Sequence, residues 1–283
     1  MLNVKTLLFV GAHPDDESFG PGGTLAEYAL RGHRVIYVCA TRGEAGSADP
    51  EFLVGFETTA EMRTAELSTA AEALGLAEVI HLGYRDSGMA GSTDNAHPQA
   101  HINVPLEEVA AQVVAVIRRE KPDVVFTFDS IGGYRHPDHI HIHRATVLAF
   151  QAAGDGAQYP EAGAPHTPRK LYYHVFPKGF LRWAVRLLPL VGQDPRRFGR
   201  NGDIDLVELA RVEFPVHCRV PLSAAALERK DRASACHRSQ LAGGPQRGGV
   251  ISRIFSRFFG AHDDFMRAWP EAGPGLHETD LFA

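Results

Sequence analysis

At 283 residues and 44% apolar, the chain is long enough to bury a large α/β core without cross-links. Its net charge of -5 is spread over both signs without long runs, which excludes the footprint of a nucleic-acid or anionic-membrane binder and leaves a small molecule as the default partner. Cys39, Cys218 and Cys236 lie far apart without CxxC spacing, so neither a disulfide framework nor a thiolate zinc site is expected, and a reducing cytoplasm fits. No apolar stretch reaches the ~20 residues of a membrane span. Met1 to Phe9 has no basic start leading into a long apolar run and cleavage site, which argues against a secretory signal.

In chain order, Thr6 to Gly11 reads as a short buried strand that runs into a polar loop at His13. Thr24 to Arg31 carries Leu25, Tyr28 and Ala29 at helical spacing and stops at Gly32, before the apolar run Val35 to Ala40. This is a βαβ unit. The alternation continues with a helix over Thr59 to Leu74 stopped near Gly75, a strand over Glu78 to Leu82, a helix over Leu106 to Arg119 and a strand over Asp123 to Phe128. A helix over His139 to Ala152 and a strand over Lys170 to Phe176 follow. Parallel strands need crossover connections, so the pattern predicts an α/β fold with a mostly parallel sheet and helices on both faces.

Residues 177–214, where Gly, Pro and Arg interrupt apolar pieces, read as an insertion or lid-like segment of one domain covering 1–283. Ser223 to Gln240 reads as a late helix, and the tail from Gly260 as rich in turns. Gly20-Pro21-Gly22-Gly23 lies too far past the first strand for a dinucleotide fingerprint; its glycines are expected to let backbone pass close to substrate or metal.

Ligands of open parallel sheets bind beyond the carboxyl ends of the strands. There the sequence places His13-Pro14-Asp15-Asp16-Glu17, Thr41-Arg42-Gly43-Glu44, Gly83-Tyr84-Arg85-Asp86, and Asp129 followed by Tyr134-Arg135-His136-Pro137-Asp138-His139. His13, Asp16 and His139 make a sensible zinc set, since a catalytic site needs three protein ligands and an open position. The bland alternative has Asp15 or Asp16 capping the next helix and the histidines solvated. It loses ground because a second His-Pro-Asp-His cluster ends another strand. Adjacent side chains diverge, so Asp16 is assigned to the metal and Asp15 to accepting a proton from metal-bound water. His136 is available to the reacting carbonyl oxygen or the leaving amine, Asp138 to orient an imidazole, and Tyr134 to offer a phenolic donor. His139 and His143 are spaced i,i+4, but without the HExxH carboxylate His143 reads as a packed or supporting residue, and His141 as surface or packing.

The motifs AHPDDE (Ala12 to Glu17) and HPDH (His136 to His139) resemble the LmbE-like, or PIG-L-like, N-deacetylase family. The resemblance extends through the helix bearing Arg63 and Glu66, GYRDSGM (Gly83 to Met89) and HRSQ (His237 to Gln240), and is weakest over 177–214. It implies a Rossmann-like sheet, one zinc ion per chain with iron(II) as a competitor, and hydrolysis of the N-acetyl group of an N-acetylglucosamine-type conjugate. Carried over residue by residue, the zinc ligands fall on His13, Asp16 and His139 and the general base on Asp15. The histidine that stabilises charge or protonates the amine falls on His136, with Asp138 as its partner and Tyr134 on the oxyanion side. Sugar-binding roles fall on Arg63, Asp86 and Glu44. Two other readings compete: an amidase cleaving a larger acyl group, such as a cysteinyl amide, from an amino-sugar conjugate, and a non-catalytic sugar-binding module on the same fold. The module is expected to have lost Asp15 or a zinc ligand, and none is missing. The expected partner is a small amino-sugar conjugate, with no nucleic acid and no membrane span; a homo-oligomer is compatible with the sequence.

Overall fold

Strand β1 (Thr6–Gly11) lies in the interior of the sheet because it has no polar face to expose: Leu7, Leu8, Phe9 and Val10 are all fully buried. The structure is a computed structural model that describes residues 4–176, 178–197, 202, 204–241 and 261–283. From β1 the chain passes through a short α1 (Asp16–Phe19) and α2 (Gly22–Leu30) into β2 (Arg34–Thr41), which lies parallel to β1 with Leu8 opposite Ile36. Helix α3 (Thr59–Leu74) leads to β3 (Glu78–Tyr84) on the outer side of β2, and α4 (Leu106–Glu120) leads back across the sheet to β4 (Val124–Phe128) beside β1. Then come α5 (Gly132–Arg135), α6 (Pro137–Ala152) and β5 (Lys170–Val175), parallel to β4.

The strand order is β3-β2-β1-β4-β5-β7-β6. Successive strands are added outward from β1 in one direction and then, from β4, in the other. Loops leaving the carboxyl ends of β1 and β4 therefore diverge to opposite faces and open a crevice between them. Local chemistry sets the helix ends: the Thr58 hydroxyl accepts the Glu61 N–H at 3.2 Å at the start of α3, and Gly75 closes it at φ 82°. On α4, Val109, Ala110, Val113, Val114 and Ile117 form the fully buried row, and that helix packs on α6. The Phe9 ring stacks between Tyr37 and Phe126, with centroids 5.1 and 4.7 Å away, and so locks three strands together.

Three expectations for the chain need correction. The tail read as turns contains β7 (His262–Trp269), antiparallel between β5 and β6 (Cys218–Pro221). Its apolar pattern is broken by the buried Asp263 and Asp264, which are satisfied across the fold: Asp263 accepts the Thr24 N–H and hydroxyl at 2.9 and 2.8 Å, and Asp264 accepts from Arg219 at 2.9 Å. The late helix is two, α9 (Ala224–Cys236) and α10 (Arg238–Leu241), broken at the buried His237, which has φ -80° and ψ 57°. The glycines at 20–23 pack against other parts of the protein: a Cβ on Gly20 would stand 2.8 Å from the Asp16 carbonyl oxygen, and one on Gly23 2.4 Å from Leu222, on the segment leading into α9. Within 177–214 the chain forms α7 (Lys178–Leu187) and α8 (Leu206–Leu209), which pack on each other. Among the described residues, no helix is long and apolar enough to cross a membrane.

Candidate active site

The loop after β1 is shaped around two adjacent carboxylates with different surroundings. Asp16 turns back on the strand end, its Oδ2 accepting the N–H groups of Ala12 and His13 at 2.9 and 2.7 Å, which leaves Oδ1 beside His139 Nε2 at 3.2 Å. Asp15 has φ 133°, a conformation that costs a residue with a side chain about 1–3 kcal/mol. Its carboxylate is turned the other way, to Arg63 Nη2 at 2.9 Å. Arg63 is nearly fully buried and also donates to the Pro14 and Gly43 carbonyls at 2.6 and 3.2 Å, so α3 fastens this loop to the one after β2.

The loop after β4 is turned by glycine. Gly132 has φ 66°, and a Cβ there would lie 2.7 Å from the Cβ of His139, so no larger residue fits between α5 and α6. His136 caps α6: its Nδ1 accepts the Asp138 N–H at 3.2 Å, with Pro137 at the first helical position. That bond fixes the neutral tautomer with the proton on Nε2. Asp138 is fully buried and fully used. Its Oδ1 accepts from the Ser87 hydroxyl at 2.5 Å and from His101 Nδ1 at 3.2 Å, and its Oδ2 accepts the Ser87 N–H at 2.9 Å and meets His13 Nε2 at 3.1 Å. The carboxylate therefore orients His13 and His101, while His136 is joined to Asp138 through the main chain.

His13, His136 and His139, and likewise His13, Asp86, His136 and Asp138, bring potential metal-ligating atoms within 4.8 Å of one another. Asp16 belongs to neither group but lies beside the first: His13 Nδ1 is 3.1 Å from His139 Nε2 and 3.7 Å from Asp16 Oδ2. Ligands at zinc distances of ~2.0–2.1 Å in a tetrahedron stand about 3.3 Å apart. The separations of 3.1 Å and 3.2 Å around His139 thus fit one such ion held by His13 Nδ1, Asp16 Oδ1 and His139 Nε2. In that arrangement the other nitrogen of His13 donates to Asp138, the usual outer support of a metal-binding imidazole. The second group would need an oxygen from Asp138, whose acceptor positions are already taken.

The same surroundings separate the titrations. Burial pushes Asp15 up, the Arg63 charge partly offsets this and Asp16 adds to it, leaving the carboxyl at about 6. Asp16 is held well below the usual carboxylate range, burial being outweighed by His139 and His13. Burial opposes protonation of His13, but Asp86, Asp138 and Asp16 together raise it well above the ordinary imidazole value. His136 is pushed well below that value by burial and by the neighbouring His13 and His139, so it stays neutral. Burial, then Asp16 and Asp15, keep the Tyr134 phenol protonated.

This geometry agrees with what the chain is similar to. The PIG-L family profile, described as GlcNAc-PI de-N-acetylase, matches residues 8–150, just over half the chain, and spans the loops after β1 and β4. The chain belongs to the PIG-L family. It is 39% identical over 246 residues to the 1D-myo-inositol 2-acetamido-2-deoxy-alpha-D-glucopyranoside deacetylase of Geodermatophilus obscurus, covering 84% of this chain and 83% of the relative. Family and relatives make it an amide-hydrolysing enzyme of the deacetylase type. Among solved structures, the N,N'-diacetylchitobiose deacetylase of Pyrococcus horikoshii superposes with a TM-score of 0.66 at 20% identity, covering 96% of this chain and 88% of that one. The 4-carboxy-2-hydroxymuconate hydratase of Pseudomonas putida superposes at 0.60 and 19%, covering 96% and 100%. A hydratase on the same LmbE-like fold shows that the fold by itself does not select amide hydrolysis.

In this PIG-L chain the crevice holds a cavity of about 400 Å³, whose walls include His13, Asp15, Arg63, Asp86, Tyr134 and His136. Of the residues expected to hold sugar, Asp86 is buried on the wall, accepts the Gly88 N–H at 2.8 Å and lies 3.5 Å from His13 Nε2. Arg63 reaches the wall with its guanidinium already engaged by three acceptors. Glu44 holds the Asp86 N–H at 3.0 Å and lines a neighbouring cleft with Tyr84 and Arg85. His143 is tied to the Phe128 carbonyl at 2.8 Å and packs against Tyr173. Sequence reasoning gave no role to Ser87 or His101, the partners of Asp138, nor to Ile204 and Gln240 on the cavity wall. Ser87 lies inside the recognised GYRDSGM run, whereas His101 opens a short 3-10 helix (His101–Asn103) with no sequence pattern around it.

Proposed function

We propose that the protein removes the N-acetyl group from a small N-acetylglucosamine-type conjugate, releasing acetate and a free amine, with one zinc ion held by His13, Asp16 and His139. The observation that carries the reading is the convergence of those three side chains with a separately held, high-pKa Asp15 at the switch between β1 and β4. The named activity of the relative from Geodermatophilus obscurus supports the substrate class.

When bound, zinc supplies a Lewis acid for the acyl oxygen and makes water more acidic. The side chains supply the rest. Asp15, ionised above pH ~6, takes one proton from the attacking water as its oxygen bonds to the acyl carbon. The neutral His136 donates its Nε2–H to the acyl oxygen as negative charge develops there, and the Tyr134 phenol adds a second donor on that side. As the C–N bond breaks, the proton on Asp15 passes to the leaving nitrogen. Asp86 meets sugar hydroxyls; Arg63 acts mainly by aiming Asp15, and Glu44 by holding the Asp86 main chain.

The test is amine release from a panel of N-acetylglucosamine conjugates that includes a 1D-myo-inositol glycoside, with matched cysteinyl amides, after loading with zinc or with iron(II). Acetate release from the acetylated sugars with zinc supports the proposal. Preferential cleavage of the cysteinyl amides makes it an amidase for larger acyl groups, and tight sugar binding without turnover makes it a binding module.

A further inference from the structure

Asp15 is gripped at both ends. Arg63 takes its carboxylate, while its main-chain N–H donates to Glu17 Oε2 at 3.0 Å. The other Glu17 oxygen accepts from His237 Nε2 at 2.7 Å and from the Ser18 hydroxyl at 2.5 Å. Glu17 and His237 are fully buried, and neither lines the cavity, so neither touches substrate. Among the described residues His237 Nδ1 has no hydrogen-bond partner, so the contact to Glu17 is what this imidazole is placed to make. His237 marks the break between α9 and α10. Ser239, two residues on, donates its N–H and hydroxyl to Glu66 at 2.8 and 2.7 Å, one helical turn beyond Arg63 on α3. The turn bearing His237 is thereby fastened to the same helix that holds the Asp15 carboxylate.

We propose that His237 is a positioning residue for deacetylation: through Glu17 it locks the positive-φ main chain of Asp15 and so aims the Asp15 carboxylate at the cavity. A residue at φ 133° keeps that conformation when its surroundings over-determine it. The Glu17 acceptor is the local tether, and the Glu17 side chain is held in place by His237 and Ser18. Release of the tether lets the Asp15 main chain relax and carries its carboxylate off line. Misplacement of a reacting group by ~1 Å costs on the order of 10²-fold in rate. The inference rests on the reading of Asp15 as the proton acceptor.

The experiment compares zinc-loaded full-length His237→Leu, His237→Gln and His237→Leu combined with Asp15→Asn, measuring kcat, KM, metal content and melting temperature. Leucine removes the Nε2 donor; glutamine returns an amide N–H near the same place. We expect His237→Leu to lower kcat by roughly 10- to 100-fold with KM and metal content close to wild type, and His237→Gln to restore most of the rate. In the Asp15→Asn background the leucine change should cost no further rate, because it acts through Asp15. An unchanged kcat in His237→Leu overturns the inference. So does a folded His237→Gln as slow as the leucine variant, or an additive loss in the Asp15→Asn background. If His237→Leu does not fold, His237→Gln against His237→Asn, whose amide is too short to reach Glu17, makes the same comparison. A single Asp15→Asn variant with wild-type kcat overturns the assignment of Asp15 instead, so the two failures are distinct.

Discussion

Among the described residues, the ionisable groups of the cavity wall come from the chain up to β5; beyond it, the described wall residues are the neutral Ile204 and Gln240. Yet the later part grips the early helices closely. Lys230 donates to the Gly20 carbonyl at 2.8 Å, Glu27 accepts the Ser223 N–H at 2.9 Å, Asp263 holds Thr24, and Asp280 accepts from the Tyr28 hydroxyl at 2.7 Å. Among the described residues the parallel half supplies the ionisable groups of the wall, and the antiparallel edge with α9 holds α1 and α2 behind it. Reactive groups collect at strand ends, where topology makes a crevice. Support comes from wherever packing brings a side chain.

If that division is right, changes in the two regions separate by what they damage. Asp138→Ala should have the largest effect of those considered in this comparison. It leaves Ser87, His101 and His13 without their shared acceptor, and zinc affinity should fall by roughly 10- to 100-fold, read by competition with a chelator. Next is pH. In the proposed role Asp15 acts when ionised, and its carboxyl is raised to about 6, so kcat of the zinc-loaded enzyme should fall as pH drops through about 6 and level off above it. An ordinary carboxylate base would lose activity only at much lower pH. The smallest effect on rate should come from the antiparallel edge. Asp263→Ala strands the buried Thr24 N–H and hydroxyl, which should reduce stability by about 1–3 kcal/mol in a denaturant titration while kcat per folded molecule stays near wild type. A comparable fall in kcat for Asp263→Ala would break the comparison.

The same division explains what was legible in the sequence. The unbroken Leu7 to Val10 run, ending in the charged AHPDDE loop, marks a central strand and its active edge at once. The His-Pro-Asp-His cluster does so again at β4. Strand β7 was hidden because Asp263 and Asp264 interrupt its apolar pattern, and the partners that make them tolerable, Thr24 and Arg219, are remote in sequence. The His101 contact to Asp138 depends on a one-turn 3-10 helix too short to show periodicity, so local pattern reasoning has nothing to detect. For Asp15 the sequence shows two like neighbours; the difference between them comes from the positive-φ turn, Arg63 and the two N–H groups on Asp16.

That difference is the central claim, and one measurement tests it most directly: activity of Asp15→Asn and Asp16→Ala against added zinc. Asp15→Asn should bind zinc as tightly as wild type and stay slow, by roughly 10²-fold or more, at every zinc concentration. Asp16→Ala should bind zinc weakly and recover part of its activity as zinc is added. A fully zinc-loaded Asp15→Asn enzyme with near-normal kcat, or an Asp16→Ala enzyme with undiminished zinc affinity, would contradict the account.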